Sequence, residues 1–402
     1  MVVNTRTVNG TKVGPLEESY PWLSFQLDLQ QAPPELWMLL GEARSKIQHL
    51  TKSLLAPETG ERLRLVYLAK GVHATTAIEG NTLTEDEVVE HLEGQLKLPR
   101  SQQYLTREVD NIIAAYNSIQ NELWDGGSAE LSPEKIREYN RLILDGLDVE
   151  EGVVPGELAL QRTAVGRYLA PPREDCDYLL DRLCEWLNKD FKAPDEEMQL
   201  PYAILKAIIA HLYIAWIHYF GDGNGRTARC VEVQILVATG MVPTPAIHLL
   251  SNHYNVTRDE YYRQLDASSR EHAGNPVPFL LYAVKGFVGE LRLQLKIVWE
   301  QLYADRWEQH IYQHFGDTER APEIRQRQLV LDLSKSREPV HRSKIRELSP
   351  RVAVAYAERG EKTLTRDLNA LLKRGLIKHE DGGYQPARDK ILTMMPPLPE
   401  ST

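Results

Sequence analysis

His218-Tyr-Phe-Gly-Asp-Gly-Asn-Gly-Arg-Thr-Ala-Arg229 joins two segments that both read as buried helices. Before it, residues 200–219 are apolar on nearly every face; after it, residues 226–239 resume a helical pattern that Gly240 closes. A helix that begins just after glycines presents unpaired N–H groups and a partial positive charge, which together attract an anion. Glycines at 221, 223 and 225 let the backbone approach a phosphate without Cβ interference. Arg226 and Arg229, three apart, share a helix face and can each clamp a phosphate. Asp222 adds nothing to an anion site unless it holds a Mg²⁺ that bridges phosphates. His218, at the lip, is a candidate base near neutral pH. Singly, each feature has an ordinary structural explanation: a capping histidine, a turn, a solvated arginine face. Their coincidence within twelve residues points to a nucleotide polyphosphate, a metal and a hydroxyl to be deprotonated.

Outward from this turn the chain is mainly α. Helical periodicity is expected over residues 35–55, 61–78, 105–124, 133–144, 175–187, 257–268 and 277–303. Thr84 and Glu87 form a capping-box pattern that opens a further helix. Residues 152–172 are different: Gly156, Gly166, Pro155 and a Pro171-Pro172 stop predict a small hairpin or flap. The first thirty or so residues, with Pro15, Pro21, Pro33 and Pro34, read as an extended arm. Near the C-terminus, helices are expected over 323–334, 342–347 and 363–374. Gly375 ends the last, and two short strands flank the turn Asp381-Gly382-Gly383. That order is the layout of a winged helix-turn-helix.

The glycine-rich segment resembles the signature of the Fic (filamentation induced by cAMP) family, His-x-Phe-x-Asp/Glu-Gly-Asn-Gly-Arg-x-x-Arg. All eight specified positions match: His218, Phe220, Asp222, Gly223, Asn224, Gly225, Arg226 and Arg229. Tyr219, outside the specified set, stands where many members have proline. The resemblance implies a protein adenylyltransferase that moves AMP from ATP to a Ser, Thr or Tyr hydroxyl of a target protein or of itself. His218 would take the hydroxyl proton, and that oxygen would attack the α-phosphate in line as pyrophosphate leaves. Asp222 would hold Mg²⁺; Gly223, Asn224 and Gly225 would wrap the phosphates; Arg226 and Arg229 would hold the β and γ groups. Phe220 would be core. Residues 162–172 are similar to the family's flap, which holds a target segment by strand addition, with Val165 and Gly166 at the nucleotide. Tyr261 and Tyr262 are similar to a pair near adenine and ribose. The choice of ATP rests on the resemblance, since phosphate-binding residues read no base.

Thr75-Thr-Ala-Ile-Glu79-Gly80 is similar to the family's inhibitory motif, Ser/Thr-x-x-x-Glu-Gly/Asn. A glutamate delivered to Arg229 would form a charge-assisted pair worth about 1.5–3 kcal/mol and would occupy the arginine that the γ-phosphate needs. In some relatives the same glutamate supports removal of AMP, so hydrolysis is implied as a second activity. The organisation expected is residues 1–110, a helical region with the inhibitory helix; 111–303, the Fic catalytic core with its β-hairpin flap; 304–317, a linker; 318–390, a winged helix-turn-helix; and 391–402, a tail.

Charge and composition bound the partners. The formal charge is −10, yet residues 318–390 hold 17 Lys and Arg against 11 Asp and Glu, a balance of +6 that leaves −16 for the remainder. A basic module on an acidic body can meet phosphates locally, so DNA is a candidate partner of residues 318–390, with Thr363, Thr365, Arg366 and Asn369 facing the groove. The other use of such a module is dimerisation or docking of the protein target, and a homodimer stays open. An alternative for the whole chain is a DNA-binding regulator whose Fic core senses nucleotide. Cys176, Cys184 and Cys230 show neither disulfide nor metal spacing. No window of about 18 uninterrupted apolar residues occurs and the N-terminus has no secretory pattern, so a cytoplasmic protein without a membrane segment is expected.

Overall fold

The computed structural model describes residues 6–8, 11–13, 20–53, 57–165, 168–271, 274–336 and 338–394. Residues cluster into two compact units, 1–295 and 296–402. Helices are numbered here in chain order: α1 Pro34–Lys52, α2 Pro57–Ala77, α3 Glu85–Leu92, α4 Gln103–Trp124, α5 Pro133–Ile143, α6 Arg173–Glu185, α7 Gln199–Ile217, α8 Asn224–Ala238, α9 Leu249–Val256, α10 Arg258–Arg270 and α11 Val277–Phe315. The C-terminal unit adds α12 Ala321–Leu333, α13 Pro350–Ala357 and α14 Glu361–Arg374. The strands are antiparallel pairs: β1 Arg6–Val8 with β2 Thr11–Val13, β3 Ala164–Val165 with β4 Tyr168–Leu169, and β5 Ile377–Glu380 with β6 Gly383–Pro386.

The first unit is arranged around the antiparallel pair α7 and α8. Because α7 is apolar on all faces it must be surrounded, and α1, α6 and α8 surround it. It is the one described helix long and apolar enough to cross a membrane, and 78% of that stretch is buried inside the fold. Helices α2, α4 and α5 pack on α8. The predicted capping box is present, with Thr84 accepting from the Glu87 N–H and Glu87 accepting from the Thr84 N–H. Ser132 caps α5 ahead of Pro133, its hydroxyl accepting from the Lys135 N–H.

Several expectations are corrected. The N-terminal arm is partly core: Tyr20, Leu23 and Phe25 are buried, and Pro33-Pro34 start α1 rather than extend the arm. Pro15 lies outside the described residues. The flap strands are two residues each, and ahead of them Leu158 bridges to Phe220. The linker placed at 304–317 is helical to Phe315, because Trp307, Ile311 and Phe315 recur at four-residue spacing and bury in the C-terminal core. Helices α9 and α13 add to the expected set, and residues 342–347 form a 3₁₀ turn rather than an α-helix.

In the C-terminal unit α12, α13 and α14 pack about Leu329, Leu333, Tyr356, Leu364, Leu368 and Leu371. Buried Asp367 ties them together, accepting from Arg325 (2.6 Å), Gln326 (2.9 Å) and Tyr356 (3.0 Å). Gly375 caps α14 ahead of the β5–β6 hairpin, and Val340 bridges to Tyr384. The tail from residue 391 begins inside a 3₁₀ turn, Arg388–Met394.

Candidate active site

His218 is the residue that ends α7, in the left-handed region at φ 49°. A non-glycine residue holds that conformation only where its surroundings fix it. Four neighbours do so. The Ala159 N–H donates to the Tyr219 carbonyl at 3.0 Å, and Thr163 Oγ1 donates to the His218 carbonyl at 3.3 Å. Tyr219 is buried; its hydroxyl donates to Asp177 at 2.7 Å, and Arg137 from α5 lies over its ring at 5.1 Å.

The turn that follows is braced by two asparagines. Asn224 folds back so that its Oδ1 accepts from the Phe220 N–H at 3.0 Å while its Nδ2 donates to the Phe220 carbonyl at 2.7 Å. Asn140 of α5 donates to the Asp222 carbonyl at 2.9 Å and accepts from the Gly156 N–H at 2.8 Å. Gly223, at φ 76°, then leads into α8. Asn140 carries no local sequence signal, since a single asparagine on an amphipathic helix reads as surface.

His218 Nδ1 lies 3.2 Å from the Ala215 carbonyl. A carbonyl can only accept, so Nδ1 carries the proton and the Nε2 lone pair is left as a base. Burial holds the imidazole pKa below its ordinary value, opposed by the Ala215 bond and by the charges of Glu79 and Asp222. The neutral form is therefore favoured at pH 7. Asp222 pairs with Arg226 at 3.1 Å, and Arg226 is otherwise buried with Glu108 4.0 Å away.

Arg229 is fully buried. Its Nε donates to Thr75 Oγ1 at 2.6 Å, and its Nη2 donates to the Thr75 carbonyl at 3.0 Å and to Glu79 Oε1 at 2.6 Å. Its Nη1 is buried with no hydrogen-bond partner. Burial works to raise the Glu79 pKa, but Arg229, with Arg226 and Arg258, holds it below the usual carboxylate range. Burial likewise disfavours the Arg229 charge, and Glu79 more than restores it. Glycine at 225 makes this approach feasible: a Cβ there would stand 2.4 Å from Glu79 Oε1.

A cavity of about 590 Å³ opens beside these groups, lined by Glu79, His218, Asn224, Gly225, Tyr261 and Tyr262. Such a volume suits a nucleotide-sized ligand. Tyr261 is buried, stacked on Tyr254 and bonded at 2.8 Å to His211, whereas Tyr262 is 40% exposed. Val165 sits in β3, and Gly166 lies outside the described residues. Asp222, Arg226 and Arg229 are bound to protein partners and do not line the cavity directly. Tyr168, Ala215, Trp216, Arg263, Leu265 and Asp266 complete the lining, and none of them belongs to a motif legible in the sequence.

Comparison with known proteins gives a consistent picture. Residues 130–236 match the model of the Fic/DOC family. The protein adenylyltransferase fic-1 of Caenorhabditis briggsae is 29% identical over 249 residues, which is 61% of this chain and 44% of that protein. Fic-1 of Caenorhabditis elegans is 29% identical over 244 residues, with the same coverages. The protein adenylyltransferase Fic of Culex quinquefasciatus is 26% identical, over 60% of this chain and 43% of that one. The chain thus spans less than half the length of these relatives. A Fic family protein from Desulfovibrio desulfuricans G20 shares the fold at TM-score 0.51 and 19% identity, covering 88% of this chain and 96% of the other. A solved portion of C. elegans Fic-1 aligns at TM-score 0.50 and 25% identity over 64% and 71%.

Proposed function

We infer from the Fic domain at residues 130–236 that the chain is a protein adenylyltransferase, held in a restrained state by Glu79. The observation that carries this reading is a neutral His218, its Nε2 free to accept a proton, on a glycine turn at the mouth of a nucleotide-sized cavity. The α-phosphate of ATP sits at the N-terminus of α8, where unpaired N–H groups and the helix dipole favour the anion. His218 Nε2 takes the proton of a Ser, Thr or Tyr hydroxyl as its oxygen bonds to the α-phosphorus. The bond from that phosphorus to the bridging oxygen breaks, and pyrophosphate departs. Arg226 exchanges Asp222 for phosphate oxygens. Arg229 does so only when Glu79 withdraws, and its unpartnered Nη1 is ready for the exchange.

Asp222 suits a magnesium ion that arrives with the nucleotide. Among the described residues no group of three His, Cys, Asp or Glu side chains could hold a resident metal. Magnesium typically takes one or two carboxylates and completes its shell with phosphate oxygens and water. When bound it offsets phosphate charge. Val165, Gly166, Tyr261 and Tyr262 are assigned to the nucleotide and flap by resemblance.

For residues 318–390 we propose nucleic-acid contact through α14. Leu364, Leu368 and Leu371 are buried there, while Lys362, Arg366 and Asn369 are exposed. Retardation of duplex DNA that weakens steeply as salt rises supports this use; no retardation at low salt removes it.

The activity itself is tested by offering the Glu79→Gly protein ATP labelled on the α- or the γ-phosphate. Label transferred to protein from the α position alone is the expected result. Transfer from the γ position, or from neither, defeats the reading.

A further inference from the structure

Tyr168, on β4, lines the same cavity as His218, but its hydroxyl is committed elsewhere. It donates its one proton to the Trp216 carbonyl at 2.5 Å, two residues before His218, and accepts from the indole Nε1–H of Trp22 at 3.2 Å. Burial also raises its pKa well above the ordinary phenol value. Tyr168 is therefore a strut between the flap and the end of α7, not a proton carrier.

Trp22 lies far from the motif in sequence and outside residues 130–236. The segment Tyr20–Phe25 nevertheless crosses beside the flap. Trp22 meets Tyr168 edge-on at 6.3 Å and Tyr20 at 5.7 Å. Tyr20 donates to Asp175 at the start of α6 at 3.1 Å, and the Phe25 N–H donates to the Tyr213 hydroxyl of α7 at 3.1 Å. Leu23 is fully buried. On the far side Gly274 lets the strap pass, since a Cβ there would come within 2.2 Å of Trp22 Cα. The strap thus touches both helices that flank the flap, and its indole supplies the hydrogen bond that completes the Tyr168 strut.

We propose that Trp22 is a positioning residue for AMP transfer: through Tyr168 it fixes strand β4 to the Trp216 carbonyl, so the flap and His218 keep a constant separation. This rests on the adenylyltransferase reading for its consequence, but the mechanical coupling stands on the contacts alone.

The test uses the full chain carrying Glu79→Gly, with ATP labelled on the α-phosphate and the chain itself as acceptor. Trp22→Phe keeps an aromatic ring and deletes the Nε1–H; Tyr168→Phe deletes both bonds. Trp22→Phe should lower kcat about 3- to 10-fold, the worth of one hydrogen bond, and Tyr168→Phe by at least as much. The double variant should fall no further than Tyr168→Phe, and KM for ATP and nucleotide stoichiometry should hold. An unchanged rate in Trp22→Phe, multiplying losses in the double, or a loss that tracks falling stoichiometry would overturn the proposal. Amide exchange at Ala164, Val165, Tyr168 and Leu169 gives a readout that does not need activity. Exchange there should quicken in Trp22→Phe, and unaltered exchange overturns the coupling. If the Glu79→Gly parent transfers no AMP, the functional reading fails and the exchange result alone decides the strap.

Discussion

Two turns meet at the cavity, one bringing His218 and Asn224 and the other Glu79, and they are held very differently. From His218 to Asn224 the backbone is tied by Asn224 to itself, by Asn140 to α5, and by Thr163 and Ala159 to the segment before the flap. At the end of α2, Asn81 anchors the chain to the Leu105 carbonyl and to Glu108, at 3.0 and 2.7 Å. Glu79, between that anchor and the helix, reaches Arg229 through one oxygen, and its side chain keeps 29% of its surface exposed. The turn from His218 to Asn224 is cross-braced, whereas the Glu79 carboxylate meets Arg229 in one hydrogen bond. On the proposed function, rigidity belongs to the groups placed for chemistry and a looser hold to the group that withdraws.

The comparison breaks first at His218. In a Glu79→Gly background, His218→Ala should cut AMP transfer about 10²- to 10⁴-fold while nucleotide binding, read by calorimetry, persists. Lost binding would mean that the imidazole holds nucleotide rather than proton. Next, Glu79→Gly alone should raise auto-transfer roughly 10- to 100-fold, as expected for release of a pair worth about 1.5–3 kcal/mol. An unaltered initial rate would show the suspended carboxylate to be no brake. Thr75→Val then asks how much of the restraint is the hydroxyl. Arg229 Nε loses its acceptor, so urea unfolding should show a loss of about 1–2 kcal/mol and transfer should rise less than in Glu79→Gly.

The smallest effect is in pH. Burial lowers the His218 pKa, so transfer should be flat above the ordinary histidine value and decline only as the solution becomes more acid than that. The negative charge of Glu79 works the other way, raising the His218 pKa. Removing it should move the acid limb of the kcat profile to lower pH still. A limb that does not move in Glu79→Gly would place the two groups out of electrostatic contact.

How legible this was depends on the kind of signal. Buried helices such as α7 and the cap at Thr84 write themselves into residue order, because period and capping are local. The glycine turn was legible for the same reason: phosphate chemistry gathers its groups within one stretch. Thr75 and Glu79 could be matched to a motif, but that they meet Arg229 is a fact of α2 packing against α8. Asn140, Tyr168 and Trp22 act across long separations and carry no period of their own. The arm hides its burial for a related reason. Tyr20, Leu23 and Phe25 are individually docked into a surface that other elements create, which a count of prolines cannot reveal. The segment 304–317 is the opposite case, since Trp307, Ile311 and Phe315 carry a helical period in the sequence itself.

The central claim is that Glu79 and the γ-phosphate compete for Arg229 beside a histidine base. Intact-mass analysis after incubation with ATP and magnesium tests it most directly, comparing wild type, Glu79→Gly, and Glu79→Gly with His218→Ala. The account predicts slow or no gain of AMP in the first, rapid gain in the second and none in the third. Equal gain in the first two, or continued gain in the third, would contradict it.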